Sequence, residues 1–425
     1  MAKGLKRAWC VLLSLFTLSF GISLKEAQEM ALERHSSIRI QKLELERARK
    51  ERLEKLGKFM PVINAELSFN LAKKQSFFLG LGSLPPREFI FQKGSYPKFT
   101  LQLLQELVNL RTIREYNLFK EKERVQGLTL KLERSRTLMK VREAYINALK
   151  AKALVETEEK HLELVSAHLS NVKELYKEGI VPLKDVLETK VKLHEVKERL
   201  SRAKAQYRKS LNYLSYLISH EVVNAESLNP EGYLLLVNRK RKELLRAMED
   251  KNPLLQLLRE NIKLSGMKRE LALSTFYPVA VLEAYYQRTE ESDLFPKNRY
   301  LISFAFRWNI FSGMRRFRAL EVSEIEKKKA IERYRDSLNQ LRLQLENLLE
   351  EAHTLRERIE LARVQLEDAR ENLKMAQEKY RAGIGTNTDV LDAQTYLITA
   401  QNLLRVAEYE LLLTEFKLRE VTGYE

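Results

Sequence analysis

The stretch Tyr176-Lys-Glu-Gly179-Ile180, followed by Asp185-Val186-Leu187, recurs 204 positions later as Tyr380-Arg-Ala-Gly383-Ile384, followed by Asp389-Val390-Leu391. The apolar seam behind it recurs in the same register. Val186, Thr189, Leu193, Val196, Leu200 and Ala203 in the first copy answer to Val390, Ala393, Leu397, Ala400, Leu404 and Ala407 in the second. Every step is three or four residues, the spacing of a coiled-coil seam. Self-similarity at a fixed separation makes the chain two structurally equivalent halves, so one architecture is read once and doubled.

Only 14 glycines and 9 prolines interrupt 425 residues, and charged residues reach 31%. That is the composition of long, solvated, packed helices. The formal charge of +17 invites a nucleic-acid reading, but the basic residues alternate with glutamates, as from Glu44 to Glu51, and form no basic arm. The charge therefore belongs to solvated helix faces, and no nucleic-acid partner is expected. At the N-terminus, Lys3, Lys6 and Arg7 precede an apolar run from Ala8 to Phe20, which reads as a secretory signal over residues 1–23. The run is too short to span a bilayer as a helix. The single cysteine, Cys10, lies inside it in a poor lipidation context, so the mature chain has no disulfide and no lipid anchor is expected.

The period then alternates between helix and strand. Helical patterns run from Leu24 to about Lys58 and from Lys240 to about Thr275, each ending at an aromatic-x-Pro. Four segments of about ten residues follow a period of two: one around Ile63–Leu71, one around Lys98–Leu103, one around Leu282–Gln287 and one around Ile302–Ile310. One face of each is apolar and the other polar, the pattern of a strand with lipid on one side and water on the other. Phe304, Phe306, Trp308 and Ile310 are the expected lipid-facing side chains. Polar loops are expected over Ala72–Tyr96 and Thr289–Asn298. Beyond each strand pair comes a helical pattern of nearly 70 residues, about Asn109–Tyr176 and Gly313–Tyr380, a rod of roughly 100 Å at about 1.5 Å per residue. After a glycine turn each rod returns as a helix of about 36 residues. Residues 24–217 thus form a first repeat, 218–238 an irregular connection and 239–425 a second repeat.

Four strands cannot close a membrane barrel, and an open sheet edge in hydrocarbon leaves unpaired amides at several kcal/mol each. The chain must share its barrel with other copies; three copies supply twelve strands, so a homotrimer is expected. The fold class is mainly α with a membrane β part.

Several motifs carry a resemblance. The opening Leu24-Lys-Glu-Ala-Gln-Glu-Met-Ala31-Leu32, the Met60-Pro61 that leads into the first strand, Trp308-Asn-Ile-Phe311-Ser-Gly313, and Tyr380-Arg-Ala-Gly383 with Thr388-Asp389-Val-Leu-Asp392-Ala393 resemble the TolC-type outer-membrane efflux proteins. The resemblance covers essentially the whole mature chain. It implies a trimeric twelve-stranded barrel in the outer membrane, continued by a long α-helical barrel through the periplasm. It also implies a periplasmic adaptor and an inner-membrane pump as partners, in an efflux or type I secretion system that the channel serves as a passive conduit.

The resemblance further implies an iris-like gate at the periplasmic tip, carried over onto Asp389 and Asp392, with Tyr380 on the packing side and Asp185 in the other half. A ring of such carboxylates would favour cations. The same aspartates follow Thr386-Asn387-Thr388, so helix capping is the competing reading, and the two are compatible. Where relatives place a basic latch residue this chain has Gly385, and Lys184 beside Asp185 is the expected replacement for that ion pair. Gly179 and Gly383 read as helix C-caps with positive φ, and Pro182 as an early helical residue. These turns are also where an adaptor would lodge. His161 and His168 sit seven apart on the first rod and read as solvated surface, so no metal or other cofactor is expected. No catalytic constellation occurs, so no enzyme activity is expected. The alternative function is an exported periplasmic coiled-coil scaffold without a pore.

Overall fold

The computed structural model describes residues 21–80, 82 and 85–424, so the expected signal lies outside the described residues apart from positions 21–23. The same succession of elements occurs twice. In the first half α1 (Leu24–Arg34) and α2 (Ser36–Gly57) lead to β1 (Val62–Leu71). Next come β2 (Gln75–Leu79), β3 (Arg87–Gln92) and β4 (Ser95–Val108), then α3 (Leu110–Lys177) and α4 (Leu183–Ile218). In the second half α5 (Arg241–Lys251) and α6 (Pro253–Ser274) lead to β5 (Val279–Thr289) and β6 (Asn298–Arg307), then to α7 (Arg315–Arg381) and α8 (Asn387–Thr422). No helix among the described residues is long and apolar enough to cross a membrane. Two compact units divide the chain. One comprises residues up to Lys42, Thr129–Gln256 and Asp336–Glu425; the other comprises Leu43–Leu128 and Leu257–Arg335.

The second unit holds a four-stranded antiparallel sheet in the order β1-β4-β5-β6. Its register aligns the alternating patterns into faces, because successive side chains of a strand point to opposite sides. Ile63, Leu103, Ala284 and Ile302 form one transverse row, and Ala65, Leu101, Tyr286 and Tyr300 the next. On the other face Asn64, Gln102, Tyr285 and Leu301 form a row, followed by Glu66, Thr100, Gln287 and Arg299. The apolar face is bare in one chain, with Phe304 71% and Phe306 83% exposed. β1 and β6 are the sheet's edges.

Two expectations need correction here. The strand β6 ends at Arg307, so Trp308 and Ile310 keep the outward parity and are exposed, but lie beyond the ladder. The Trp308 indole instead donates to the Phe276 carbonyl at 2.9 Å, anchoring the chain where it leaves the sheet. The Ala72–Tyr96 loop contains the β2–β3 hairpin, in which Phe77 stacks on Phe89 with ring centroids 5.3 Å apart. The hairpin is tied to the second loop: Ser292 Oγ donates to the Ile90 carbonyl at 2.9 Å and Lys93 pairs with Asp293 at 3.0 Å.

In the first unit the long helix α7 buries an apolar seam along one face. Leu341, Leu345, Leu348, Ala352, Leu355, Ile359, Ala362, Ala369, Leu373 and Ala376 of α7 are buried. The opening helices, however, are each broken in two. Asn252 stops α5: its Oδ1 accepts from the Leu254 and Leu255 amides at 2.9 and 3.2 Å, and its Nδ2 donates to the Val421 carbonyl at 2.8 Å. Pro253 explains the break, since it disfavours helical backbone at the residue before it and opens the next helix well. His35 makes the equivalent break, with Nδ1 2.8 Å from Ser37 Oγ.

Residues 218–238 are largely irregular, with one short 3-10 turn at Pro230–Tyr233, and are bolted down by buried polar groups. The Tyr145 hydroxyl lies 2.8 Å from the carbonyls of Ile22 and Glu226. The fully buried Glu415 carboxylate accepts from the Leu236 and Val237 amides at 2.8 and 3.0 Å and pairs with Arg419 at 3.0 Å. A buried charge is tolerable only when so satisfied.

Candidate functional site

The site candidates of the sequence converge where α3 turns into α4 and α7 into α8. Gly179 (φ 75°) and Gly383 (φ 72°) take the left-handed conformation expected of helix C-caps. The Ile180 amide reaches back to Leu175 O at 2.9 Å, and the Ile384 amide to Lys379 O at 3.0 Å, closing both turns alike. Pro182 is the N-cap of α4, outside the helix proper, and makes no side-chain cap. At Gly385 a Cβ would lie 3.0 Å from Lys379 Cβ and 3.1 Å from the Tyr380 amide nitrogen. The turn itself therefore disfavours a basic side chain there.

Around these turns a buried polar cluster joins the two halves. The Tyr380 hydroxyl donates to Asp185 Oδ2 at 3.0 Å. Asn387, 2% exposed, lies at the first position of α8 with its amide turned inward. Its Nδ2 faces two acceptors, Asp185 O and Glu188 Oε2, both at 3.4 Å. That orientation leaves Oδ1 to accept from Thr189 Oγ1 at 3.0 Å and from His168 Nε2 at 2.8 Å. The imidazole thus carries a proton on Nε2. Its ring also meets Tyr380 edge to face at 5.4 Å. Beneath lies an apolar cluster that includes Leu169, Val172, Val186, Leu373, Ala376, Val390 and Leu397. Burial raises the Tyr380 phenol above its ordinary value, helped by the Asp185 carboxylate. Burial lowers His168, outweighing the Asn387 hydrogen bond and Asp185, which favour the charged ring.

The other candidates distribute differently. Asp389 is exposed and completes a capping box: its Oδ2 accepts from the Thr386 amide at 2.8 Å, and its own amide donates to Thr386 Oγ1 at 3.2 Å. These bonds to Thr386 hold its carboxyl below the usual range. Asp392 is exposed and lines a groove of about 700 Å³ between α4 and α8, with Lys184, Leu187, Val191 and Leu391. Lys184 does not pair with Asp185; it reaches along its own helix to Glu188 at 3.4 Å, because Asp185 is turned toward Tyr380.

The histidines are the larger correction: both are buried, His161 completely. They fall at seam positions with Val165 and Val172, in steps of four, three and four, which is the signal that marks them as interior. Among the described residues no group of three or more His, Cys, Asp or Glu side chains is placed to hold a metal. Asn387 and Thr189 were not singled out from the sequence, since Asn387 sits among Thr386 and Thr388 and reads as one more capping residue.

Residues 244–424 match the family model described as outer membrane efflux protein. The match spans most of the second repeat, 181 of 425 residues. No protein of curated function matches the sequence. Solved structures extend the likeness in fold to the whole chain. CusC superposes with a TM-score of 0.81 at 15% identity, covering 96% of either chain. VceC of Vibrio cholerae, an outer membrane protein, gives 0.77 at 17%, covering 95% of this chain and 97% of its own. The open-state MtrE outer membrane channel of Neisseria gonorrhoeae gives 0.75 at 15%, with 95% and 89% covered.

Proposed function

We propose that this protein is the outer-membrane conduit of a tripartite efflux or type I secretion system, built from three copies and conducting passively. The observation that carries the reading is the sheet: four strands, one apolar face bare across its rows, and two open edges. Hydrocarbon accepts the bare face but not the edges, which another copy of β1 or β6 would satisfy. Three copies close twelve strands, while two would close only eight, too narrow for an open lumen. The halves 24–217 and 239–425 then act as equivalent building blocks, joined by 218–238. The energy for transport comes from an inner-membrane pump, reached through a periplasmic adaptor that engages the Gly179 and Gly383 turns. The hairpin tips, with Asp185, Tyr380, Asp389 and Asp392, form the gate.

The test is assembly and conductance. Extracted from the outer membrane in detergent, the protein should have the native mass of three chains and should form cation-preferring channels in planar bilayers. A monomer released into the periplasm without detergent would favour the pore-free coiled-coil scaffold instead.

A further inference from the structure

Where the sheet ends, a recess of about 870 Å³ opens among the first residue of β5, the last of β6 and the adjoining ends of α3, α6 and α7. Arg111, Arg307, Arg315 and Arg316 line it with Trp308, and among the described residues no carboxylate does. Two of these arginines are committed elsewhere. Arg316 donates to the carbonyls of Thr275 and Ile310 at 3.0 and 2.7 Å and to Ser312 Oγ at 3.1 Å, with its guanidinium 4.9 Å from the Phe276 ring centre. Arg307 pairs with Glu283 across the sheet. Arg316 therefore builds the wall, held in place by a turn in which Gly313 and Met314 are both left-handed, at φ 62° and 63°.

Arg111 and Arg315 remain. Arg315 uses only its Nε, on the Ser312 carbonyl at 3.1 Å. Neither α3 nor α7 carries an acid in its first turn to offset these cations. Farther along the helices of the same unit, cations are answered by carboxylates: Arg52 by Glu123 and Lys58 by Glu115, both at 2.8 Å, and Arg269 by Glu324 at 3.0 Å. Two guanidiniums without a carboxylate in one recess suit an anion with paired oxygens, which the arginine fork binds two at a time. The rim is apolar. Trp308, Ile310 and Phe311 are exposed, and Ile310 continues the parity of Phe306 past the end of the ladder.

We propose that this recess binds an anionic glycerophospholipid, its phosphate held by Arg111 and Arg315 and its acyl chains lying along Phe306 and Ile310. This rests on the reading that the apolar face of the sheet lies in hydrocarbon. The strand ends then stand at the level where lipid phosphates begin and where tryptophan gathers. Both strands leave toward the helices here, so the lipid belongs to the leaflet on the helical side. A phosphate alone would satisfy the arginines, but the apolar rim calls for an amphiphile. With no carboxylate in the recess to receive a choline ammonium, a headgroup of net negative charge is preferred to a zwitterionic one.

Native mass spectrometry of the detergent-extracted protein, stripped of lipid and titrated with dioleoyl phosphatidylglycerol, tests the site. The parent should take up one such lipid per chain, about tenfold more tightly than dioleoyl phosphatidylcholine. Arg111→Gln with Arg315→Gln should lose that preference and bind phosphatidylglycerol about tenfold more weakly, because two charged donors are gone. Arg318→Gln with Arg335→Gln removes the same charge from α7 at arginines that pair within the helix, and should bind as the parent does. Undiminished binding by the first variant would overturn the site. So would equal uptake of the two lipids by the parent, a comparison that needs no variant to fold. Displacement of the lipid by inorganic phosphate alone would make the recess a free-anion site and overturn the lipid assignment. A trimer without lipid preference counts against this proposal alone, whereas a single chain released without detergent counts against the reading beneath it.

Discussion

Tyr380 and Asp185, 195 positions apart, are joined by a 3.0 Å hydrogen bond that ties the second half of the chain to the first at the hairpin tips. The donor is buried and the acceptor half-buried, so the bond lies where water competes only partly. Removing the hydroxyl in Tyr380→Phe keeps the ring against His168 and costs about 1.5 kcal/mol, the lower end for a bond to a charged acceptor. Because Asn387 still holds His168 and Thr189, the tip should remain closed. The expected outcome is faster amide exchange in residues 183–190 and 380–391 with little change in conductance. Unaltered exchange would show that the hydroxyl contributes nothing.

The bare face of the sheet makes a sharper demand. Phe306 lies at 83% exposure beside Ala280 on β5, near the end of an apolar surface that only hydrocarbon suits. Phe306→Lys, near the end of β6, should cost up to roughly 2–4 kcal/mol per copy, less toward the interface, and hinder trimers from inserting. The substitution Ser303→Lys, on the face with Glu283, should be tolerated. Normal assembly of Phe306→Lys would place that face in water.

Asp389 and Asp392 can be separated by function, because only Asp389 belongs to the capping box. Asp392→Asn removes three charges per trimer without touching a cap, and should weaken cation preference in planar bilayers while leaving the melting temperature unchanged. Asp389→Asn should weaken cation preference and also lower the melting temperature, since a carboxylate at the first turn of α8 complements the helix end. If Asp392→Asn leaves selectivity unchanged, that residue does not face the conducting path.

The faces of the sheet and the duplicated tips were legible in the sequence because both are encoded locally, in a period of two from Ile302 to Phe306 and in a motif repeated whole at Tyr380. What escaped reading depends on neighbours. The break at Asn252 was written in the Asn252-Pro253 dipeptide but was overridden by a helical pattern continuing on both sides. The β2–β3 hairpin was hidden by Lys73, Lys74 and Pro85-Pro86, and its short strands lack a clean period of two, with Phe78 beside Phe77 and Ile90 between Phe89 and Phe91. The inward turn of Asn387 has no local signature at all, since its partner His168 lies 219 positions away.

His161 yields a pH dependence with a definite sign. Its Nδ1 lies 3.2 Å from Arg199 Nη2 and 3.5 Å from Glu158 Oε2. A guanidinium only donates, so the ring must accept at Nδ1 and stay neutral. Burial comes first in lowering its pKa to about 4, followed by the charges of Arg199 and Lys192. In the unfolded chain an ordinary histidine titrates near 6.5. Between these values the unfolded chain binds more protons, so stability is complete above about pH 6.5 and is lost as pH falls toward 4. The full loss is about 3 kcal/mol per chain, at 1.36 kcal/mol per unit. Glu158, whose carboxyl is raised chiefly by burial, acts in the opposite sense at the acid end, and its protonation offsets part of the loss. His161→Gln keeps an acceptor for Arg199 but cannot take the proton. Its melting temperature should lie below that of the parent at pH 7, and the gap should shrink steadily toward pH 4. A gap that stays constant over that range would mean that His161 is not the group that titrates.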